Sequence, residues 1–382
     1  VSEKKDTNFN LAAVCAPIES LYSDIPYSAV LAGDARTRLD GVYDDSVSVV
    51  VTSPPYWLKR IETELPPLVW GEDTDCDHDW GDYWVWSGNA YRHGARRDTT
   101  AKKKELMGKM GDTKTAGGRY CAKCSAWQGH LGQEPQPDLY VRHLREFFAH
   151  VALKMHKTAT LWVVMGDTWY DGSLMGIPWA FANMMPYGGW ELKQRIVWHK
   201  PNPMPEEHKG WLFKQNKAGR RRLSKGSWRP SEATECIFMF TQGDPGGYFG
   251  DHLYAQIECK KPGARKNTSN VWEFPVSHTK SSHTATFPTG LVEQCLMPTL
   301  PVCVCSVCGA PYARTDKWKD GVYQVIPTCK HEKRRKSIVL DPFGGVMTTG
   351  VVAQQMGASF LGIEVNEKLA REGAERLKCD CF

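Results

Sequence analysis

Short apolar runs, each closed by turn-forming residues, recur along the chain and predict buried strands. Val30-Leu31-Ala32 stops at Gly33-Asp34, and Ser46 to Val51 follows as the next strand. Thr160 to Met165 is strand-like and ends in Gly166-Asp167-Thr168-Trp169. Gly176-Ile177-Pro178-Trp179 opens a helix that runs through Met185. Trp190 to Trp198 alternates and leaves through His199 to Pro205, and Glu235 to Phe240 is a further strand. Near the C-terminus Ser337 to Leu340 reads as strand, and Asp341-Pro342-Phe343-Gly344-Gly345 breaks it. Thr348 to Met356 then reads as a helix closed by Gly357, and Ala358 to Glu364 as a last strand. Strands alternating with helices predict an α/β fold.

Two stretches carry chemistry. The C-terminal one runs strand, tight loop, helix, strand, acid. This is the plan of an adenosyl-cofactor site, where loop and helix start approach the ligand and the acid takes ribose hydroxyls. Glu364 lies 23 residues after Asp341, which suits one βαβ step. The other is Thr52-Ser53-Pro54-Pro55-Tyr56, directly after Val49-Val50-Val51. Its prolines lack N–H groups and hold the turn stiffly. Their carbonyls and the Ser53 hydroxyl accept hydrogen bonds, and Tyr56 can stack on a base taken out of its helix. Such a turn suits chemistry on the exocyclic amino group of a nucleobase.

These residues resemble the amino-methylating DNA methyltransferases of the (T)SPPY type, which usually modify cytosine N4. Adenine enzymes of that family more often carry Asp or Asn at the position of Ser53. The resemblance implies Ser53, Pro54, Pro55 and Tyr56 as catalytic residues. Asp341, Pro342, Phe343, Gly345 and Thr348 resemble the DPFxGxGTT motif that binds S-adenosylmethionine, and Glu364 follows as the ribose acid. Met347 stands where the family has a glycine that allows close approach of the backbone to the cofactor. Gly33-Asp34 lies at the family's distance before SPPY, which places Asp34 near the cofactor adenine; Thr52 and Phe287 complete the implied cofactor set. SPPY before the cofactor motif is the order of the permuted beta class. The implied fold is therefore a Rossmann-like S-adenosylmethionine-dependent methyltransferase sheet, circularly permuted, with small zinc-binding inserts. Further blocks resemble GDxY, GIPW, IxWxKPNPMP, ExIF and HxAxFP, the last at His283 to Pro288; Thr234 stands where the family usually has His. The resemblance covers roughly residues 28–60, 138–250 and 270–377.

Charge adds a partner. The net charge is only +5, so its distribution matters more than its sum. Cations crowd residues 209–229, interleaved with Trp211, Phe213 and Trp228. Beside a catalytic cleft they suit phosphate contacts to double-stranded DNA. Lys200, Lys214, Arg220, Arg221, Arg222 and Arg229 are the expected contacts. Further clusters stand at Arg96 to Lys109 and Lys330 to Lys336.

Thirteen cysteines need a role. The sequence shows no signal peptide and no membrane-spanning run, so a reducing prokaryotic or phage-infected cytoplasm is expected, and metal is favoured over disulfides. Cys305, Cys308, Cys329 and His331 fit a tetrahedral structural zinc, with Cys303 as an alternative fourth ligand. Cys76 and His78 with Cys121 and Cys124 form a reversed set across a longer gap, and the family has members with CxH and CxxC there. No Pro-Cys dipeptide occurs in the chain, which disfavours a cysteine-nucleophile cytosine-C5 enzyme.

The expected organisation is one catalytic domain with insertions. Residues 1–57 start it, 58–137 form an insert with the first metal set, and 138–250 continue the sheet. Residues 251–282 stand where target recognition often lies, 283–302 return to the cofactor side, 303–336 form a zinc knuckle, and 337–382 complete the cofactor half. The implied function is cytosine-N4 methylation of DNA. Adenine N6 methylation and a non-catalytic zinc-containing DNA-binding protein stay open, and a cognate restriction endonuclease is a candidate partner.

Overall fold

Val49, Val50 and Val51 are all fully buried, because the sheet they enter is covered on both faces. In the computed structural model the described residues are 21–59, 67–71, 75–86, 116–170, 173–202, 213–215, 221–223, 230–243, 247–258, 265–276, 287–319 and 322–382. The central sheet has eight strands. In chain order they are β1 (Ser28–Ala32), β2 (Val47–Thr52), β3 (Met155–Met165), β4 (Glu191–His199), β5 (Thr234–Thr241), β6 (Val271–Glu273), β7 (Ile338–Asp341) and β8 (Ser359–Glu364). Across the sheet they run β1-β8-β7-β2-β3-β5-β4-β6. The first five are mutually parallel. β5 is antiparallel to both neighbours, and β6 is parallel to β4.

Alternation along the strands builds two layers. Val50, Leu161, Phe238, Leu340 and Leu361 face α1 (Ala35–Leu39), α2 (Pro137–Lys154) and α3 (Ile177–Met184). Val49, Trp162, Met239, Val339 and Phe360 face α4 (Thr289–Thr299), α5 (Thr348–Gln355) and α6 (Glu367–Leu377). α2 is an 18-residue helix opened by Pro137, inside a stretch expected only to continue the sheet. Its buried Tyr140, Leu144, Phe147, Phe148 and Val151 keep helical spacing.

The two strands that the chain separates most widely meet at the middle. β2 pairs with β7 through Val49↔Val339 and Val50↔Leu340. Strand order reverses here, and in open α/β sheets the crevice at the carboxyl ends of such strands holds the ligand. SPPY follows β2 and the Asp341–Met347 loop follows β7, so both expected motifs open into one crevice.

The inserts lie at opposite ends. Leu68–Trp70, Trp127–Gly129, Ala116–Tyr120 and Trp84–Trp86 form a four-stranded antiparallel sheet, in that order. Trp70 and Trp127 are buried in the main core. The second insert pairs Cys303–Cys305 with Arg334–Lys336. Arg335 is buried and donates to Ser46 O at 2.9 Å, at the start of β2, the end remote from SPPY. Within segment 251–282 the residues Val271–Glu273 form β6 of the central sheet. No helix among the described residues is long and apolar enough to cross a membrane.

Candidate active site and metal centres

The SPPY turn is joined to the Asp341–Met347 loop by one short hydrogen bond, Thr52 Oγ1 to Asp341 Oδ1 at 2.6 Å. Thr349 Oγ1 donates to Asp341 Oδ2 at 2.7 Å, and the Phe343 N–H donates to Oδ1 at 3.2 Å. Sequence placed Asp341 and Thr52 among cofactor contacts. Here their polar atoms engage each other and the loop, and both residues are buried. Burial raises the Asp341 carboxyl to about 6, against the lowering pull of the Thr52 and Thr349 hydroxyls. The folded chain therefore holds this proton more tightly than the unfolded chain. Relative to Asp341→Asn, the wild type is expected to be most stable below about pH 4 and to lose stability as pH rises through about 6. The loss is up to roughly 3 kcal/mol and constant above that window. Urea unfolding of both proteins between pH 4 and 7.5 checks it; a pH-independent difference would refute it.

Around the loop, Gly345 has φ 52°, and its N–H donates to Glu364 Oε2 at 2.8 Å. Glu364 Oε1 accepts from the Asn366 N–H at 2.9 Å. Pro342 is buried, and the half-buried Phe343 packs on Phe147 with ring centroids 4.7 Å apart. The Thr348 hydroxyl accepts from Arg376 at 3.1 Å. Phe287 is half-buried against the α4–α6 core. Asp34 caps α1 and pairs with Arg36 at 2.7 Å. Asp34 follows β1 and Glu364 is the last residue of the neighbouring β8, Ala32 being paired with Glu364, so the two acids border one edge of the crevice.

Met347 adopts φ 58°, the left-handed region where glycine is usual. Its side chain is fully buried and sits among Gly344, Gly362 and Gly373. A Cβ at Gly344 would lie 2.5 Å from the Met347 sulfur, and one at Gly373 2.5 Å from its Cγ. The departure from the family motif thus enters the core, and three glycines make room for it. Restoring the glycine should destabilise the chain. Relief of the left-handed backbone gains about 1 kcal/mol, whereas emptying the methionine's place costs about 2–5 kcal/mol. Met347→Gly is expected to lower the urea midpoint by a net 1–3 kcal/mol equivalent, roughly; a raised midpoint would contradict the packing.

The SPPY turn is held from several sides. Tyr140 of α2 donates to Pro55 O at 2.8 Å, and the Leu58 N–H donates to Gly132 O at 2.7 Å. Trp57 Nε1 donates to Glu134 O at 2.8 Å, and Thr168 Oγ1 to Trp57 O at 2.7 Å. Glu134 is itself buried, receives the Gly132 N–H and pairs with His143 at 3.0 Å. Burial raises its carboxyl and His143 opposes the rise. Pro54 is buried, and Ser53 is partly exposed at the strand end. Ser53 Oγ donates to Tyr56 Oη at 3.4 Å, and Tyr56 donates to Glu235 Oε2 at 2.7 Å. Lys200 donates to Glu235 Oε1 at 2.9 Å.

Lys200, expected from sequence to meet phosphate, is instead drawn into this cleft with a side chain only 13% exposed. Lys214, Arg221 and Arg222 lie on a hairpin, Phe213–Gln215 against Arg221–Leu223; Arg220 and Arg229 fall outside the described residues. Sequence reasoning missed Glu235, Tyr140 and Glu134 as site residues. For Glu235 a signal existed, an acid opening an otherwise apolar strand.

Both metal sets assemble. The ligand atoms of Cys76, His78, Cys121 and Cys124 lie within 4.8 Å of one another, as do those of Cys305, Cys308, Cys329 and His331. Cys76 and Cys121 sulfurs are 3.8 Å apart, matching the separation of about 3.8 Å that a tetrahedron with bonds of about 2.3 Å requires. Cys124 Sγ lies 3.3 Å from His78 Nδ1, and Cys308 Sγ 3.3 Å from His331 Nδ1. Cys303, the alternative fourth ligand, packs with Tyr312 in a small apolar cluster. Burial pushes the Cys121 thiol up, but N–H groups of Cys124 and Lys123 and the His78 ring outweigh it and bring it to about 6. Donor identity, count and spacing all fit zinc.

Comparison with known proteins agrees with this geometry. A family model described as DNA methylase, N6_N4_Mtase, matches residues 47–375. The chain belongs to this family and is a DNA methyltransferase of the N6/N4 group. It is 24% identical over 408 residues to the Type II methyltransferase M.SmaI of Serratia marcescens, covering 98% of each chain. Over 40 residues, 10% of this chain and 14% of the relative, it is 52% identical to the DNA adenine methyltransferase YhdJ of Escherichia coli. Among solved structures the fold matches PvuII DNA methyltransferase (cytosine-N4-specific) with TM-score 0.51 and 15% identity, over 93% of this chain and 88% of that one.

Proposed function

We propose that the chain methylates N4 of a cytosine flipped out of double-stranded DNA, as a beta-class enzyme that uses S-adenosylmethionine and carries structural zinc at one or both metal sets. The observation that carries this reading is the 2.6 Å bond that unites the Thr52–Tyr56 turn with the Asp341–Thr348 loop across the sheet's switch point.

Residues at the crevice fit the cofactor. Gly33 and Gly345 have positive φ, at 133° and 52°, so backbone closes on the crevice without a Cβ. Asp34 and Glu364 offer acids for adenine and ribose, and Phe343, Phe287 and Pro342 offer apolar walls. Thr52, Asp341 and Thr348 hold the loop in shape. When bound, S-adenosylmethionine supplies an electrophilic methyl group and leaves as a neutral thioether. The protein's part is positioning. The amino lone pair of the base is delocalised into the ring. Hydrogen bonds from the amino group to Ser53 Oγ and Pro54 O favour a pyramidal nitrogen with that pair available. Tyr56 stacks on the ring. Lys214, Arg221 and Arg222, with Arg220 and Arg229, are the proposed phosphate contacts.

Ser at position 53 and the cytosine-N4 label of the structurally similar PvuII enzyme support cytosine. The short, strong match to an adenine methyltransferase favours adenine N6 as the second reading. A binding-only protein has less support, because Met347 lies in the core. M.SmaI is named a Type II methyltransferase, which supports a restriction-modification setting with a cognate endonuclease. The test is incubation with mixed-sequence DNA and S-adenosylmethionine, then nucleoside mass spectrometry. N4-methylcytosine supports the reading, N6-methyladenine replaces the base, and no product with no cofactor binding overturns catalysis.

A further inference from the structure

Methylating an exocyclic amino group leaves a proton to dispose of. Once the nitrogen carries the methyl group it bears a positive charge, and neutrality returns only when an N–H bond breaks. A protein group within hydrogen-bond reach of that nitrogen is one route for the proton. The hydrogen bonds at the turn have a fixed direction that bears on this.

A carboxylate only accepts, so the 2.7 Å contact between Tyr56 and Glu235 obliges the phenol to donate. The phenol has one proton, so its oxygen is free only to accept, and Ser53 Oγ donates to it at 3.4 Å. Ser53 therefore points its own proton into the protein and turns its lone pairs toward the crevice. Glu235 ends the chain, and its other oxygen is held by Lys200 at 2.9 Å. The Tyr56 ring lies flush on Gly166, where a Cβ would come within 2.7 Å of ring carbon Cε2. Burial, then the negative charge of Glu235, hold the phenol well above its ordinary value, so it stays a neutral donor.

Building on the amino-methylation reading above, we propose that Ser53, Tyr56 and Glu235 form a directed proton relay, with Glu235 as terminal acceptor and Lys200 as its fixed counter-charge. The substrate N–H proton passes to Ser53 Oγ, the Ser53 proton to Tyr56 Oη, and the Tyr56 proton to Glu235 Oε2. Each oxygen gives one proton and takes one, so Ser53 and Tyr56 end neutral. The base leaves neutral, and Glu235 ends as the acid until solvent removes its proton. Ser53 touches the reacting nitrogen; Glu235 acts through Tyr56 and is a positioning residue in that sense.

Single-turnover methylation of duplex DNA tests the relay, with cofactor and DNA affinities measured in parallel. Glu235→Gln should slow transfer about 10²-fold while both affinities stay within about twofold. Glu235→Asp should recover about tenfold of that loss. Tyr56→Phe keeps the ring and breaks the relay, so it should slow transfer comparably. Because both act in one chain, the double variant should be no slower than the slower single variant. Full-rate transfer by Glu235→Gln, or additive losses in the double variant, would overturn the relay. The Tyr56→Phe arm decides alone if Glu235→Gln loses cofactor binding. A wild type that makes no methylated base defeats the underlying reading instead, and the two failures are distinct.

Discussion

Ser53→Ala is expected to slow methyl transfer by about 10²–10³-fold while leaving S-adenosylmethionine affinity within about twofold. The hydroxyl sits past the end of β2, partly exposed, with its proton directed at Tyr56. Alanine removes the acceptor proposed to meet the substrate amino group. It also removes the first oxygen of the chain toward Glu235. The proposed cofactor residues Gly345 and Glu364 belong to the loop and strand beyond the Thr52–Asp341 bond, and that bond does not involve Ser53. Stopped single-turnover assays and a cofactor titration separate the two effects. Equal loss of rate and affinity would mean that Ser53 only shapes the turn.

The second large effect concerns the first metal set. Cys121→Ser should lose one zinc per chain, lower Tm by about 10 °C, and reduce methylation at least about tenfold. Structural zinc contributes folding free energy outright. Zinc held by Cys76, His78, Cys121 and Cys124 would pass that energy to the crevice by two routes. The strand Trp127–Gly129 leads to Gly132 and Glu134, which hold Leu58 and Trp57 directly after SPPY. The strand Leu68–Trp70 offers Val69 O to Arg36 at 2.5 Å, and Arg36 in turn pairs with Asp34. Cys305→Ser is the control. Its knuckle meets Ser46 at the opposite end of β2, so it should cost stability with a smaller loss of rate. Metal analysis, melting curves and single-turnover rates on both variants decide; equal loss of activity would argue against a local route.

Much of this was legible in the chain because it is local. Three strands of the sheet's parallel half, β1, β2 and β7, end in their own punctuation, Gly33-Asp34, Ser53-Pro54 and Asp341-Pro342, and the structure keeps those ends within about a residue. Both metal sets were legible for the same reason, as paired ligands one or two residues apart. The missing parts join distant residues. Tyr56 and Glu235 stand 179 positions apart, and nothing near either announces the other. Lys200 was expected at phosphate because sequence shows a charge without Glu235, the acid that faces it. Asp341 read as a ligand contact because a motif names a position and leaves its direction open. β6 was hidden because a three-residue edge strand carries too little periodicity to stand out from polar surroundings.

Met347 has a consequence for how this chain came to be. Its side chain occupies space that any substituent on Gly344, Gly362 or Gly373 would claim. The present packing of the methionine needs all three positions to be small. A side chain at any of them would force the methionine's own to move. The substitution therefore works as a ratchet: a reversal at 347 alone leaves a hole, and a change at any of the three alone leaves a collision. Among relatives, a bulkier residue at 362 or 373 is expected only where position 347 is small.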